Sequence, residues 1–149
     1  ENFEFILTIS AADYDRIIPS DVREYVRTVG PIQVSECPSI YNECDTMFLP
    51  SLVECFSANY PEAMIMGKPI LTSDYSFAHS ICENAAIYFD PLSSEDIVDK
   101  IIILMNNKFK YNSMRDLGYL RVKSFPTPYE RASKYLSICE SLCRVSKNE

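Results

Sequence analysis

Glycine is scarce in this chain: Gly30, Gly67 and Gly118 are the only three among 149 residues. A GxGxxG dinucleotide loop and a Walker A loop both need clustered glycines, so neither is present. Basic residues are outnumbered, 14 Lys and Arg against 21 Asp and Glu, for a formal charge of −7. Such a balance disfavours nucleic-acid backbones and anionic membrane surfaces as partners. There is no apolar run of the roughly 18 residues a membrane span needs, and no basic n-region before an apolar one. These residues therefore hold neither a transmembrane helix nor a signal peptide. The cysteines stand at 37, 44, 55, 82, 139 and 143, without a CxxC pair. A chain this large and apolar needs no disulfide staples, so six reduced and mostly buried thiols in a cytoplasmic protein are expected.

The length suits one domain, residues 1–149, and 47% hydrophobic residues can build one substantial core. The pattern opens from Glu1 directly into a strand, without an initiator Met, as an excised fragment does. Strands are expected at 3–9, 32–34, 46–50, 69–73 and 86–89. Ala11–Asp15 reads as a polar turn. Helices are expected over Val22–Val29, Pro38–Cys44, Ser57–Met66 and Ser76–Glu83. Beyond Pro91, Ser93-Ser94-Glu95-Asp96 starts a helix to Asn107. Two more follow, Tyr111–Phe125 and one from Thr127-Pro128 through Leu142. The fold class is α/β: a Rossmann-like parallel sheet of about five strands, helices on both faces, then three helices. Ligands of such sheets bind beyond the carboxyl ends of the strands.

The informative stretch is Leu49-Pro50-Ser51-Leu52-Val53-Glu54-Cys55-Phe56-Ser57-Ala58-Asn59-Tyr60-Pro61-Glu62-Ala63-Met64. Glu54 falls in a loop past a strand end and Glu62 in the first turns of the next helix. The strand-to-helix turn brings both toward one crevice. The loop between them offers backbone N–H groups and a helix N-terminus, a natural anion site, with Ser57 or Asn59 able to cap. Pro61 is tolerated because the first four N–H groups of a helix have no internal partner.

Glu-x7-Glu in a strand–loop–helix, followed by Ala63-Met64-x-x-Gly67-Lys68-Pro69-Ile70, resembles the group 1 retaining glycosyltransferases of GT-B fold. Asp45–Ser51, Ala85-Ala86-x-x-Phe89-Asp90-Pro91 and Ser94-Glu95-Asp96 extend the resemblance over roughly Ile32–Asn107. It implies the C-terminal, nucleotide-sugar-binding half of such an enzyme. The reaction passes a sugar from a nucleoside diphosphate sugar to a hydroxyl acceptor with retention, in glycan or polysaccharide assembly. It implies no metal and no cofactor beyond that donor. Glu54 is the catalytic carboxylate facing the donor sugar; Glu62 holds the ribose hydroxyls; backbone amides at Phe56, Ser57 and Ala58 contact sugar and diphosphate. Cys55 and Ser57 stand where the family has glycines, which narrows the sugar pocket. The family's Gly-rich loop and its Arg/Lys pair belong to a first strand–helix unit expected before Glu1. The N-terminal domain that takes a glycan or lipid-linked acceptor is also expected outside these residues. The fragment alone is then inactive, and the whole enzyme is cytoplasmic or peripheral to the inner face of a membrane.

Other residues carry less. His79 reads as a surface or packing residue, and Cys55 as a small pocket-wall residue. Asp13-Tyr14-Asp15 resembles a DxD metal motif but lacks its fold context. Cys139 and Cys143, one turn apart, do not make a zinc site. Two rival readings remain: a nucleotide-sugar epimerase of GT-B-like fold, disfavoured by the single histidine, and a non-catalytic Rossmann-like interaction domain.

Overall fold

A computed structural model of the chain describes residues 3–145, so Glu1 and Asn2 lie outside the described residues. All five strands run parallel: β1 (Phe5–Leu7), β2 (Val26–Thr28), β3 (Met47–Leu49), β4 (Ile70–Ser73) and β5 (Ile87–Phe89). They form two sheets rather than one, β1–β2 and β3–β4–β5. Phe48 pairs with Leu71 and Leu71 with Ile87, in the parallel register that helical crossovers impose. The helices are α1 (Ala11–Ile17), α2 (Cys37–Glu43), α3 (Asn59–Ile65), α4 (Ser76–Cys82), α5 (Ser94–Asn106), α6 (Lys108–Val122) and α7 (Pro128–Val145).

The amino third departs from the sequence pattern. Ala11–Asp15 is not a turn: Ser10 accepts a bond from the Asp13 amide and caps α1. Val22–Val29 is not a helix, and 32–34 is not a strand. Val22, Val26 and Val29 are spaced like a helix face, but Tyr25–Val29 is β-branched and aromatic. It pairs as β2, Phe5 opposite Val26 and Leu7 opposite Thr28. Ile32–Val34 lies after Pro31, and the Gln33 amide donates to the Glu36 carboxylate at 2.6 Å, which closes a 3-10 turn over Val34–Glu36.

In the three-stranded sheet, alternate residues face opposite layers. Met47, Ile70 and Ala86 face α3 and α4, where Tyr60, Ala63, Met64, Ala78 and Cys82 are buried. Phe48, Leu71, Ile87 and Phe89 face α5 and α6, against Leu104 and Met114. Each fully buried large side chain contributes about 1.5–3 kcal/mol. Helix α6 closes the amino edge of the sheet. The Tyr111 hydroxyl donates to the Asp45 carbonyl at 2.9 Å. Arg121 caps the end of α4 through the Ile81 and Ser80 carbonyls, at 2.7 and 3.2 Å. Gly118 lies against Met64 of α3. With that edge covered, the carboxyl edge is the open one. Helix α7 leaves Tyr129, Tyr135, Leu136, Ile138 and Leu142 exposed.

Candidate active site at the carboxyl edge of the sheet

Strand β3 stops at Leu49 because Pro50 has no N–H to give a ladder. Residues 50–58 then cross the carboxyl edge and α3 returns along the sheet. One buried hydrogen-bond chain fixes this turn. Thr72 Oγ1 donates to the Leu49 carbonyl at 3.1 Å. Its only proton is thereby used, so the Tyr60 hydroxyl, 2.8 Å away, donates to Thr72. Burial raises the Tyr60 phenol above its ordinary value, which keeps that proton in place. At its far end α3 closes on Gly67, at φ 64°. The Lys68 amide reaches the Ala63 carbonyl at 2.8 Å and Gly67 reaches Met64 at 3.2 Å, a paired C-cap that only a left-handed residue completes.

Both glutamates are half-buried. Glu54 lies in the loop and accepts from Ser51 Oγ at 3.0 Å. Glu62 lies in the first turn of α3, where Tyr41 of α2 places its hydroxyl 3.4 Å from Oε2. The same hydroxyl is 3.4 Å from the Asn59 carbonyl. The topology thus carries both acids to one edge, each fixed by its own neighbour. Between them Ser57 is buried, while Phe56 and Ala58 are exposed. Neither Ser57 nor Asn59 caps α3: the cap position is Ala58, without a side-chain bond, and the helix starts two residues later than its pattern suggests. The tyrosine hydroxyl gave no sequence signal, because its reach depends on how α2 packs on α3.

The edge is acidic. Glu54, Glu62, Asp74 and Asp90 stand along it, and segments 50–58, 74–75 and 90–93 contain no Lys or Arg. His79 has a partner after all: its Nε2 lies 2.6 Å from Asp74 Oδ1, and its ring stacks on Tyr88 with centroids 3.8 Å apart. Cys55 is exposed, as are Phe56 and Ala58 on the same loop. Asp13 and Asp15 are engaged by Arg16 and Arg23 on and beside α1. Among the described residues no group of three His, Cys, Asp or Glu could hold a metal ion. Cys37, Cys44, Cys55, Cys82 and Cys139 carry free thiols, but only Cys82 is buried, against the expectation for most of them. That burial pushes the Cys82 thiol up to about 12. Two clefts of about 280 and 260 Å³ lie elsewhere, one lined by Glu83, Leu117 and Arg121, the other by Phe3, Val98 and Met105. No helix of the described residues is long and apolar enough to cross a membrane.

The same fold is found in a solved structure. The chain matches sucrose-phosphate synthase from Thermosynechococcus elongatus with a TM-score of 0.79 at 18% identity. The match takes in 97% of this chain and 39% of that one, so the chain spans about two fifths of the neighbour's length. No curated protein is similar enough to match. The profile of the group 1 glycosyl transferases matches residues 19–121, wider than the stretch that the motifs alone mark out. Glu54, Glu62 and the turn that holds them all fall inside that span, and the chain belongs to the group 1 glycosyl transferase family.

Proposed function

We propose that the protein carrying this chain transfers a sugar from a nucleoside diphosphate sugar to a hydroxyl acceptor with retention, in glycan or polysaccharide assembly. The chain is its donor-binding domain. The observation that carries this reading is the pair of half-buried carboxylates in one strand–loop–helix at the open edge of a group 1 glycosyl transferase sheet. Glu62, in the first turn of α3, accepts hydrogen bonds from the ribose diol. Glu54, on the loop, lies toward the anomeric carbon. The positive charge that grows there as the glycosidic bond breaks is stabilised by a nearby carboxylate, more in the transition state than in the ground state. Loop amides at Phe56, Ser57 and Ala58 contact the sugar and diphosphate oxygens. No metal takes part; the diphosphate charge is met by amides and by cations. The acceptor, a glycan or lipid-linked hydroxyl, enters through a separate domain, and the enzyme is cytoplasmic or peripheral to the inner membrane face.

Those cations come from a strand–helix unit outside these residues, which leaves the chain inactive by itself. Two observations support this. The edge segments contain no Lys or Arg. The two sheets also face each other through β1 and β3, which share no ladder. The Phe5–Phe48 ring centroids are 5.3 Å apart. Phe48 and Phe89 are equally far apart, and these two sit on strands with β4 between them. A further parallel strand between β1 and β3 would join the two sheets into one.

The test is donor kinetics of the full-length enzyme carrying Glu54→Gln or Glu62→Gln. Each lost charge-assisted bond costs roughly 1.5–3 kcal/mol, so Glu62→Gln should raise the donor KM by about tenfold to a hundredfold. Glu54→Gln should lower kcat more than it raises KM. Wild-type kcat/KM in both variants would reduce the two acids to ordinary surface carboxylates.

A further inference from the structure

We infer that Tyr41 is a positioning residue for nucleotide recognition: its hydroxyl orients the Glu62 carboxylate, and through it sets the preference for a ribose diol. The inference rests on the proposed role of Glu62. Helix α3 has only seven residues and no side-chain cap at its start, so its first turn is weakly held from within. Tyr41 supplies the missing support from the neighbouring helix. Its ring packs against the core cluster that includes Tyr60, Ala63 and Met64. Its hydroxyl stands at 3.4 Å from both the Asn59 carbonyl and Glu62 Oε2. A phenol has one proton, so the two acceptors share it, and a small movement of α3 closes it on either. Donation to Oε2 turns the carboxylate and leaves Oε1 for a ligand hydroxyl. Burial first, then the adjacent Glu62 charge, raises the phenol above its ordinary value, so the donor persists through any enzymatic pH range.

The chemistry predicts a specific loss. A carboxylate left to rotate still attracts hydroxyl groups, but it no longer presents one oxygen at a fixed angle to two vicinal ones. Tyr41→Phe keeps the ring in its packing and removes only the oxygen. Calorimetric binding to the full-length protein should use whichever of ADP, CDP, GDP and UDP binds most tightly, together with its 2′,3′-dideoxy counterpart. The wild type should prefer the ribonucleotide by about tenfold or more. Tyr41→Phe should cut that preference about threefold to tenfold, with affinity for the dideoxy compound held within about twofold. On a Glu62→Gln background the same change should have no further effect, since the residue through which it acts is gone.

Equal weakening of both nucleotides in Tyr41→Phe would show a merely structural hydroxyl and overturn the inference. So would additive losses in the double variant. A wild type without ribose preference would instead remove the Glu62 reading beneath it, a separate and recognisable failure.

Discussion

The turn that carries the candidate site hangs on Thr72, and removing its hydroxyl should cost more than removing that of Tyr60. Thr72 and Tyr60 are both completely buried. Tyr60 donates to Thr72 at 2.8 Å and Thr72 donates to the Leu49 carbonyl at 3.1 Å. Thr72→Val conserves shape but deletes the middle of the chain. The Tyr60 hydroxyl then has no acceptor in a dry site, and the Leu49 carbonyl loses a donor. An orphaned buried group costs about 1–3 kcal/mol, and the two losses together should reach about 2–4 kcal/mol. Tyr60→Phe removes the terminal donor and leaves Thr72 bonded to Leu49, at a cost of about 0.5–1.5 kcal/mol. The decisive variant is the double one. Replacing the stranded hydroxyl by Phe relieves its desolvation penalty, so Tyr60→Phe/Thr72→Val should be more stable than Thr72→Val alone. Urea denaturation would give the three values, with a melting temperature lower by roughly 5–15 °C in Thr72→Val. A double variant no more stable than Thr72→Val alone would refute the stranded-hydroxyl reasoning on which the ordering depends.

Two further outcomes follow from single side chains. Gly67→Ala should destabilise by about 2 kcal/mol or more: φ is 64°, where a β-carbon is strained, and that carbon would run into the Tyr119 side chain. The denaturation midpoint of Gly67→Ala/Tyr119→Ala should recover the collision but not the strain. Asp96 accepts from the Asp90 amide at 2.8 Å and pairs with Lys100, and these hold its carboxyl below the ordinary 3.8. A depressed value gives stability that is complete above the ordinary one and lost as pH falls through the lower one. Asp96→Ala should therefore be less stable than wild type near neutrality and converge with it in acid; a gap unchanged down to pH of about 2 would mean the charge contributes nothing.

The parts of the fold visible in sequence are those where local chemistry and tertiary packing agree. Leu49-Pro50 ends a strand, Gly67 ends a helix, and Ser93 accepts from the Asp96 amide to start another. Each signal is carried by residues next to one another. The amino third fails for the opposite reason. Val22, Val26 and Val29 satisfy a helical period, and the choice between helix and strand falls to a partner twenty residues away, Phe5–Leu7. Ile32–Val34 has strand-forming residues, yet Glu36 folds back on Gln33 and there is no neighbour for a ladder. At the site, Glu54 and Glu62 were legible because a loop between strand and helix has few ways to run. Tyr41 and the Asp74–His79 pair were not, since both depend on which helix faces which.

The charge of the open edge gives a last constraint on how the activity is divided. A diphosphate beside Glu54 and Glu62 meets like charge, and Asp74 and Asp90 add to it along the same edge. The bonds between loop amides and phosphate are each modest, and a helix of seven residues has a short dipole to add. Repulsion between unit charges a few ångströms apart, at an intermediate dielectric, is about 4 kcal/mol. On the proposed reading, cations opposite the glutamates offset such terms when donor is bound. Arg27 is committed to Glu4 and Glu43, and Arg121 to Glu83 and the end of α4. Lys68 follows the far end of α3, at the edge that α6 covers. On the proposed reading, those cations come from outside these residues. On the same proposed reading, donor affinity belongs to the assembled enzyme, and the orientation of the ribose, through Tyr41 and Glu62, to this chain.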